Sequence, residues 1–220
     1  MYRVLKIKKY RSINMVNDKH ECIFVHLRRT GGNSIELALG GIVLLDENGE
    51  KTYAWDNKLH RGRNIPHKLD YRGHYMHDTA MAIKKQYPER FEKYVKFSIV
   101  RNPWDQMISL YLRLNPRDPE ALYFKQFLRS YKAKAGTVPE HSLFDDQGIC
   151  MVDEIGRFEN LPDDYIRVCS KLGINSDPLS NANSSSKKHY SEYYDSESVE
   201  LVSRLFSKDI SYFGYKFAQS

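Results

Sequence analysis

No stretch of this 220-residue chain reaches the roughly 18 consecutive apolar residues that a membrane-spanning helix needs. The amino end, MYRVLKIKKYRSINMVNDKH, alternates cations with apolar residues and lacks the apolar centre of a secretory signal. A soluble protein is expected. Cysteine is scarce: Cys22, Cys150 and Cys169 have neither an even count nor metal-ligand spacing, and Cys22 sits in an apolar run. That argues against a disulfide framework and for reduced thiols, with a cytoplasmic setting expected. Neither sign of charge dominates, since 34 basic against 28 acidic residues leave +6. This modest excess suits a phosphate- or sulfate-bearing ligand, a polyanion or nucleic acid without choosing among them. Internal repeats are absent, and SNANSSSKK at 180–188 is the one low-complexity patch. What is present is globular in composition, 41% hydrophobic and 13% aromatic, in a length that suits a single domain over residues 1–220.

Strand and helix patterns alternate. CIFVHL (22–27) reads as a buried strand and NSIELAL (33–39) as a helix start capped by Asn33 or Ser34. DTAMAIKKQYPERFEKY is helical apart from a break near Pro88, and VKFSIV (95–100) is a second buried strand. Asn102 is then a natural cap and Pro103 a natural first helical residue; Trp104, Met107, Ile108, Tyr111 and Leu114 follow as one apolar stripe. DEIGRFENL holds a third strand, DYIRVCSKLG a helix closed by Gly173, and SVELVSRLFSKDISYFGY a final helix and tail. The alternation predicts an α/β fold with a central, mainly parallel sheet covered on both faces. Ligands of such sheets sit beyond the carboxyl ends of the strands.

At the end of the first strand stands HLRRTGGNS (26–34). A strand that runs through Gly31-Gly32 into a helix gathers backbone N–H groups and the positive end of a helix dipole around one point, and Arg28 and Arg29 add charge there. The alternative is a surface turn with two solvated arginines. The stretch does not fit G-x-x-x-x-G-K-[ST], so taken alone it gives only weak support to a kinase or nucleoside triphosphatase. The second strand-to-helix junction, FSIVRNPWDQMISLY, places Arg101 at a strand end and Ser109 two turns into a helix, off the apolar stripe. A guanidinium with a hydroxyl suits a phosphate monoester.

Together the two junctions resemble the sulfotransferase superfamily that uses 3′-phosphoadenosine 5′-phosphosulfate (PAPS), nearest the carbohydrate 2-O-sulfotransferase-like group. LRRTGGNS matches the loop [IV]PKTGGTS through Thr30, Gly31, Gly32 and Ser34, and FSIVRNPWDQMISLY matches F.[VI]RNP[WY]DR..S.Y almost throughout. The likeness covers about 22–39, 73–111 and 153–217, and leaves 40–72 and 112–152 unmatched. It implies a three-layer P-loop-like fold. It also implies that residues 29–34, including Asn33, hold the 5′-phosphate beside the sulfuryl group while Arg101 and Ser109 hold the 3′-phosphate. GRFENL and NSSSKKHYSEYYD resemble the family's carboxyl part, which makes Phe158 an adenine contact and Lys187 and Lys188 phosphate contacts. Read without the likeness, Phe158 is a core residue and the lysines a solvated pair.

Sulfuryl transfer to an alcohol needs a base for the hydroxyl proton and cations for the leaving phosphate, and demands no metal. GHYMHDTA resembles the family segment whose histidine precedes x-T-A, so His77 is the expected base and His74 the second candidate. One departure stands out: Arg29 replaces the family lysine, and Arg28 its preceding proline. Arginine keeps the charge and can grip two oxygens but does not readily give up a proton. The expected function is therefore sulfuryl transfer from PAPS to a hydroxyl of a carbohydrate or small metabolite, releasing 3′,5′-adenosine bisphosphate (PAP). A PAPS- or PAP-binding protein without turnover is one alternative. A basic nucleic-acid-binding module is another, although no nucleic-acid motif is present. Lys58, Arg61, Arg63, Lys68 and Arg72, against Asp56 and Asp70, make the unmatched stretch a candidate seat for a saccharide or anionic acceptor, or else an exposed loop.

Overall fold

The computed structural model describes residues 16–39, 43–45, 51–53, 77–132, 136–175, 179 and 188–217. Four strands form the main sheet: β1 (Val16–Asn17), β2 (Cys22–Val25), β5 (Val95–Val100) and β6 (Glu154–Arg157), in the order β1-β2-β5-β6. β2, β5 and β6 run parallel, with Phe24 beside Phe97 and Val100 beside Arg157, while β1 joins the edge antiparallel. A short antiparallel pair, β3 (Val43–Leu45) with β4 (Lys51–Tyr53), stands apart. The mainly parallel sheet expected from the strand–helix alternation is observed.

β2 is CIFV, buried at all four positions, so successive side chains supply both faces of the sheet. Ile23 and Val25 enter a cluster with Val100, Met107, Ile108 and Tyr111. Cys22 and Phe24 enter a second with Ile35, Phe97, Ile99, Tyr165 and Val168. The helices that bring these residues are α1 (Gly32–Ala38) and α7 (Leu161–Lys171) on the second face, and α4 (Pro103–Leu114) on the first. Along the chain between them lie α2 (Ala80–Gln86), α3 (Pro88–Lys93), α5 (Phe124–Ser130) and α6 (Glu140–Leu143); α8 (Ser196–Leu205) and α9 (Ser207–Phe213) close the described chain.

Local chemistry accounts for the boundaries. The Thr79 hydroxyl accepts the Ala82 N–H to open α2, and Pro88, with no N–H to give, begins α3. Asn102 accepts from the Trp104 and Asp105 N–H groups and Pro103 is the first residue of α4, as the sequence predicts. Three expectations need correction. α1 begins at Gly32, so neither Asn33 nor Ser34 caps it; the Ser34 N–H bonds the Gly31 carbonyl instead. Leu114 is 58% exposed and leaves the apolar stripe, because α4 overhangs the core at its last turn. The carboxyl helix is two, broken at Phe206, whose buried ring anchors the bend. All three cysteines are free, and burial pushes the Cys22 thiol up to about 12, which leaves it inert. Among the described residues no helix is long and apolar enough to cross a membrane.

Candidate functional site

β2 and β5 are neighbours and parallel, so the loops that leave their carboxyl ends lie side by side. Their side chains touch. Arg29 Nε donates to Ser109 Oγ at 3.1 Å, and Arg101 Nη1 donates to the Arg29 carbonyl at 2.7 Å. The two anion sites read separately from the sequence are thus one continuous cradle. Arg29 has φ +66°, a left-handed conformation that a non-glycine residue adopts only at a cost of about 1–3 kcal/mol. The Arg101 clamp on its carbonyl and the Ser109 contact with its side chain hold it there. Burial first, and then the nearby charges of Arg101 and Arg113, lower the Arg29 pKa, with Asp105 opposing them. Two arginines so close to a third define a place where an anion is electrostatically wanted.

Arg101 is itself fixed from three sides. Its Nε donates to Asp105 Oδ2 at 2.8 Å, its Nη2 pairs with the same oxygen at 2.6 Å, and its guanidinium lies 3.8 Å from the centre of the Phe158 ring. One face of Phe158 is therefore already covered by a cation. Ser109 is 2% exposed, so it does not point to solvent as its place off the apolar stripe predicts; nearly the whole circumference of α4 is buried. Thr30 is fully buried and its hydroxyl donates to the Leu27 carbonyl at 2.8 Å, which makes it a staple of the turn and leaves its side chain unavailable to a ligand. Ser34 is 8% exposed, at the first turn of α1. Gly31 has φ +78°, and a Cβ there would come within 2.7 Å of Leu161; at Gly32 a Cβ would meet the His26 ring at 2.2 Å. Only glycine lets the loop lie this close to its floor.

Arg28 is exposed, unlike Arg29. Its backbone is held at both polar groups: the N–H reaches the Gly136 carbonyl at 2.7 Å, and the carbonyl accepts Gln106 Nε2 at 2.8 Å. Gln106 also reaches the Thr137 carbonyl at 2.8 Å, so one buried amide ties the loop after β2 to the 136–143 segment. That segment abuts His77, since a Cβ on Gly136 (φ +78°) would lie 2.6 Å from His77 Cβ. His77 in turn donates from Nδ1 to the His26 carbonyl at 3.1 Å, because a carbonyl can only accept. Nε2 then carries the lone pair. Burial, the adjacent His26 and the Arg28 charge pull the His77 pKa down to about 3, against the opposing bond to the His26 carbonyl, so the ring is neutral at physiological pH.

The fold thus brings together Arg29, Arg101, Ser109, Phe158 and the 30–34 turn, with His77 and Arg28 alongside. Lys188 is not part of the group in this structure; it is exposed and pairs with Glu120 at 2.7 Å. His74, Lys187, the Asn33 side chain and the basic stretch 54–72 lie outside the described residues. Gln106, Asp105, Glu36 and Gly136 escaped the sequence reading. Asp105 alone carried a local signal, four residues after Arg101 and in the first turn of α4. Among the described residues no group of three or more histidine, cysteine or carboxylate side chains is arranged to hold a metal.

No solved structure matches the chain significantly. An uncharacterized protein of Archaeoglobus fulgidus is 33% identical over 86 residues, which make up 38% of this chain and 72% of the archaeal one. The family model described as Sulfotransferase family matches residues 14–216, almost the full length, and the chain therefore belongs to that sulfotransferase family.

Proposed function

We propose that this protein moves the sulfuryl group of PAPS onto a hydroxyl of a carbohydrate or small metabolite and releases PAP, as a single domain of the 2-O-sulfotransferase-like kind with a P-loop-like three-layer fold. The observation that carries this reading is the joined cradle, in which Arg29 Nε meets Ser109 Oγ at 3.1 Å and Arg101 Nη1 meets the Arg29 carbonyl at 2.7 Å. A 3′,5′-bisphosphate presents two anions at neighbouring points, and two strand-end loops joined side to side present two neighbouring sets of donors. In this reading the 30–34 turn and Arg29 take the 5′-phosphosulfate. Ser109 and the N–H groups that Arg101 has to spare take the 3′-phosphate, and the uncovered face of Phe158 takes the adenine. Lys187 and Lys188 would contact the phosphate, Lys188 exchanging Glu120 for it.

The acceptor oxygen attacks sulfur, the bond from sulfur to the phosphate oxygen breaks with its electron pair staying on the phosphate, and the hydroxyl proton passes to His77 Nε2. Arg29 stabilises the charge that grows on the leaving phosphate. Burial first, then His26 and the Arg28 charge, sets the His77 pKa at about 3; the negative charges of PAPS would counter the Arg28 charge and raise it. No metal takes part in these steps.

Thermal melting with PAP, ATP and GTP tests the proposal. A ligand that binds only the native state at about 100 times its Kd stabilises by about 2.7 kcal/mol. PAP is expected to raise the melting temperature more than ATP or GTP. Ser109→Ala should narrow the preference of PAP over adenosine 5′-monophosphate without abolishing nucleotide binding. Equal stabilisation by ATP would point to a different nucleotide chemistry. A response confined to DNA or RNA, blind to sequence and steep in salt, would point to a nucleic-acid module.

A further inference from the structure

Beneath the 26–34 loop lies a pair that the reaction as written does not use. His26 is 3% exposed, and its Nδ1 lies 2.8 Å from Glu36 Oε1, the Glu36 side chain being only 12% exposed. An imidazole facing a carboxylate donates its N–H, so this is a buried histidine–carboxylate contact spanning the loop, with His26 just past β2 and Glu36 on α1. The His26 ring is fixed on its other sides too. It stacks on Phe24 at 5.3 Å and 19°, and the Gly32 backbone leaves no space for even a methyl group beside it. It also meets the His77 ring edge to face at 4.7 Å and 74°, while its own backbone carbonyl receives the His77 Nδ1–H.

Packing does not account for the carboxylate. An aromatic ring at position 26 fills the space under Gly32 whether or not Nδ1 has a partner, and an ionised group this enclosed is costly to desolvate. What Glu36 adds is a fixed rotation of the His26 ring and a negative charge one residue away from His77. We propose that Glu36 and His26 are positioning residues for His77: Glu36 locks His26, and His26 presents its carbonyl and ring so that His77 keeps its proton on Nδ1 and its lone pair on Nε2. The role assigned to His77 rests on the sulfuryl-transfer reading above; the locking itself does not. When Nε2 takes the acceptor's proton, the imidazolium strengthens its Nδ1–H bond to the His26 carbonyl, and the Glu36 charge, acting through His26, stabilises the new positive charge. The same logic holds where an outer partner orients a metal-binding histidine, and loss of such a partner costs about 10–100-fold.

The test uses the full chain with Glu36→Ala, Glu36→Gln and His26→Phe. Long-range proton–nitrogen NMR of the imidazoles reports the His77 tautomer directly. The native protein should show His77 protonated on Nδ1, and Glu36→Ala and His26→Phe should give a mixture of both tautomers. Glu36→Gln, whose amide oxygen still accepts from His26 Nδ1, should restore most of the native tautomer and part of the rate. In single-turnover transfer from PAPS to a sugar panel, the first two variants should lose about 10–100-fold in rate while PAP affinity changes less than about threefold. A His77 signal unchanged in both Glu36→Ala and His26→Phe overturns the proposal, as does a loss of PAP affinity that matches the loss of rate. If Glu36→Ala does not fold, His26→Phe and Glu36→Gln carry the same readout. Failure of PAP to stabilise the protein would sink the sulfuryl-transfer reading, and the tautomer measurement would still decide whether the pair locks His77.

Discussion

Arg29 is under two constraints that its neighbour Arg28 escapes: a left-handed backbone and a side chain bonded across to α4. If it serves the leaving phosphate, Arg29→Ala should weaken PAP binding modestly and depress transfer strongly, because the charge it meets is largest in the transition state. Arg29→Lys keeps the charge but cannot keep the Nε–H contact with Ser109 at the same reach. The expected outcome is a moderate loss of single-turnover rate; a gain would identify the native chain as a nucleotide binder tuned away from turnover. His77→Ala should leave PAP-dependent melting intact and lower transfer by roughly 10² to 10⁴, the usual scale for loss of a general base. Arg101, Ser109 and Gly31 were legible because their spacing follows strand ends and helix turns. Gln106 and Gly136 were not, since they act by hydrogen bonds to backbone groups of segments about 30 to 110 residues away, a relation that leaves no local pattern.

At the scale of elements, the segment 136–143 was the least legible part of the site. Its one helix, α6, has four residues and no side-chain cap of its own, so tertiary contacts rather than periodicity maintain it. β5 and α4, by contrast, carry a mostly apolar strand, an Asn cap and a first-turn proline, and the sequence places β5 and the start of α4 to the residue. Gly136 and Gly148 offer a controlled comparison of what such a segment does. Both have positive φ, +78° and +79°, but a Cβ at Gly136 meets His77 at 2.6 Å while one at Gly148 meets nothing within 4 Å. Gly148→Ala should cost about 1–2 kcal/mol, the price of the left-handed conformation alone. Gly136→Ala should lower the melting temperature further and also slow transfer by displacing His77. Equal melting losses in the two variants would mean that the segment yields freely and does not hold His77 in place.

For the molecule as a whole, two buried groups set opposite responses to pH. His77 has a folded pKa of about 3 against an unfolded 6.5, so its neutral form supports the fold above pH 6.5 and that support is lost as pH falls toward 3. Asp209 is the converse: burial raises its pKa from 3.8 to about 7, so the fold favours its protonated form and loses stability as pH rises through that interval. Its Oδ1 accepts the Glu140 N–H at 2.7 Å, while Oδ2 is buried with no partner among the described residues. Between about pH 4 and 6.5 the two slopes, each up to about 1.4 kcal/mol per pH unit, oppose each other. Asp209→Asn should therefore raise the melting temperature at pH 8 more than at pH 5, and a gain independent of pH would show that the carboxyl does not titrate in this window. The parallel pairing that sets Cys22 beside Val95 has a kinetic counterpart. Every residue of the cradle depends on a strand contact between distant parts of the chain, whose closure is slow and comes before the loops can meet. If the cradle is the nucleotide site proposed above, a nascent chain lacks it until α4 has emerged and docked, so nucleotide should leave the refolding rate unchanged and act by slowing unfolding.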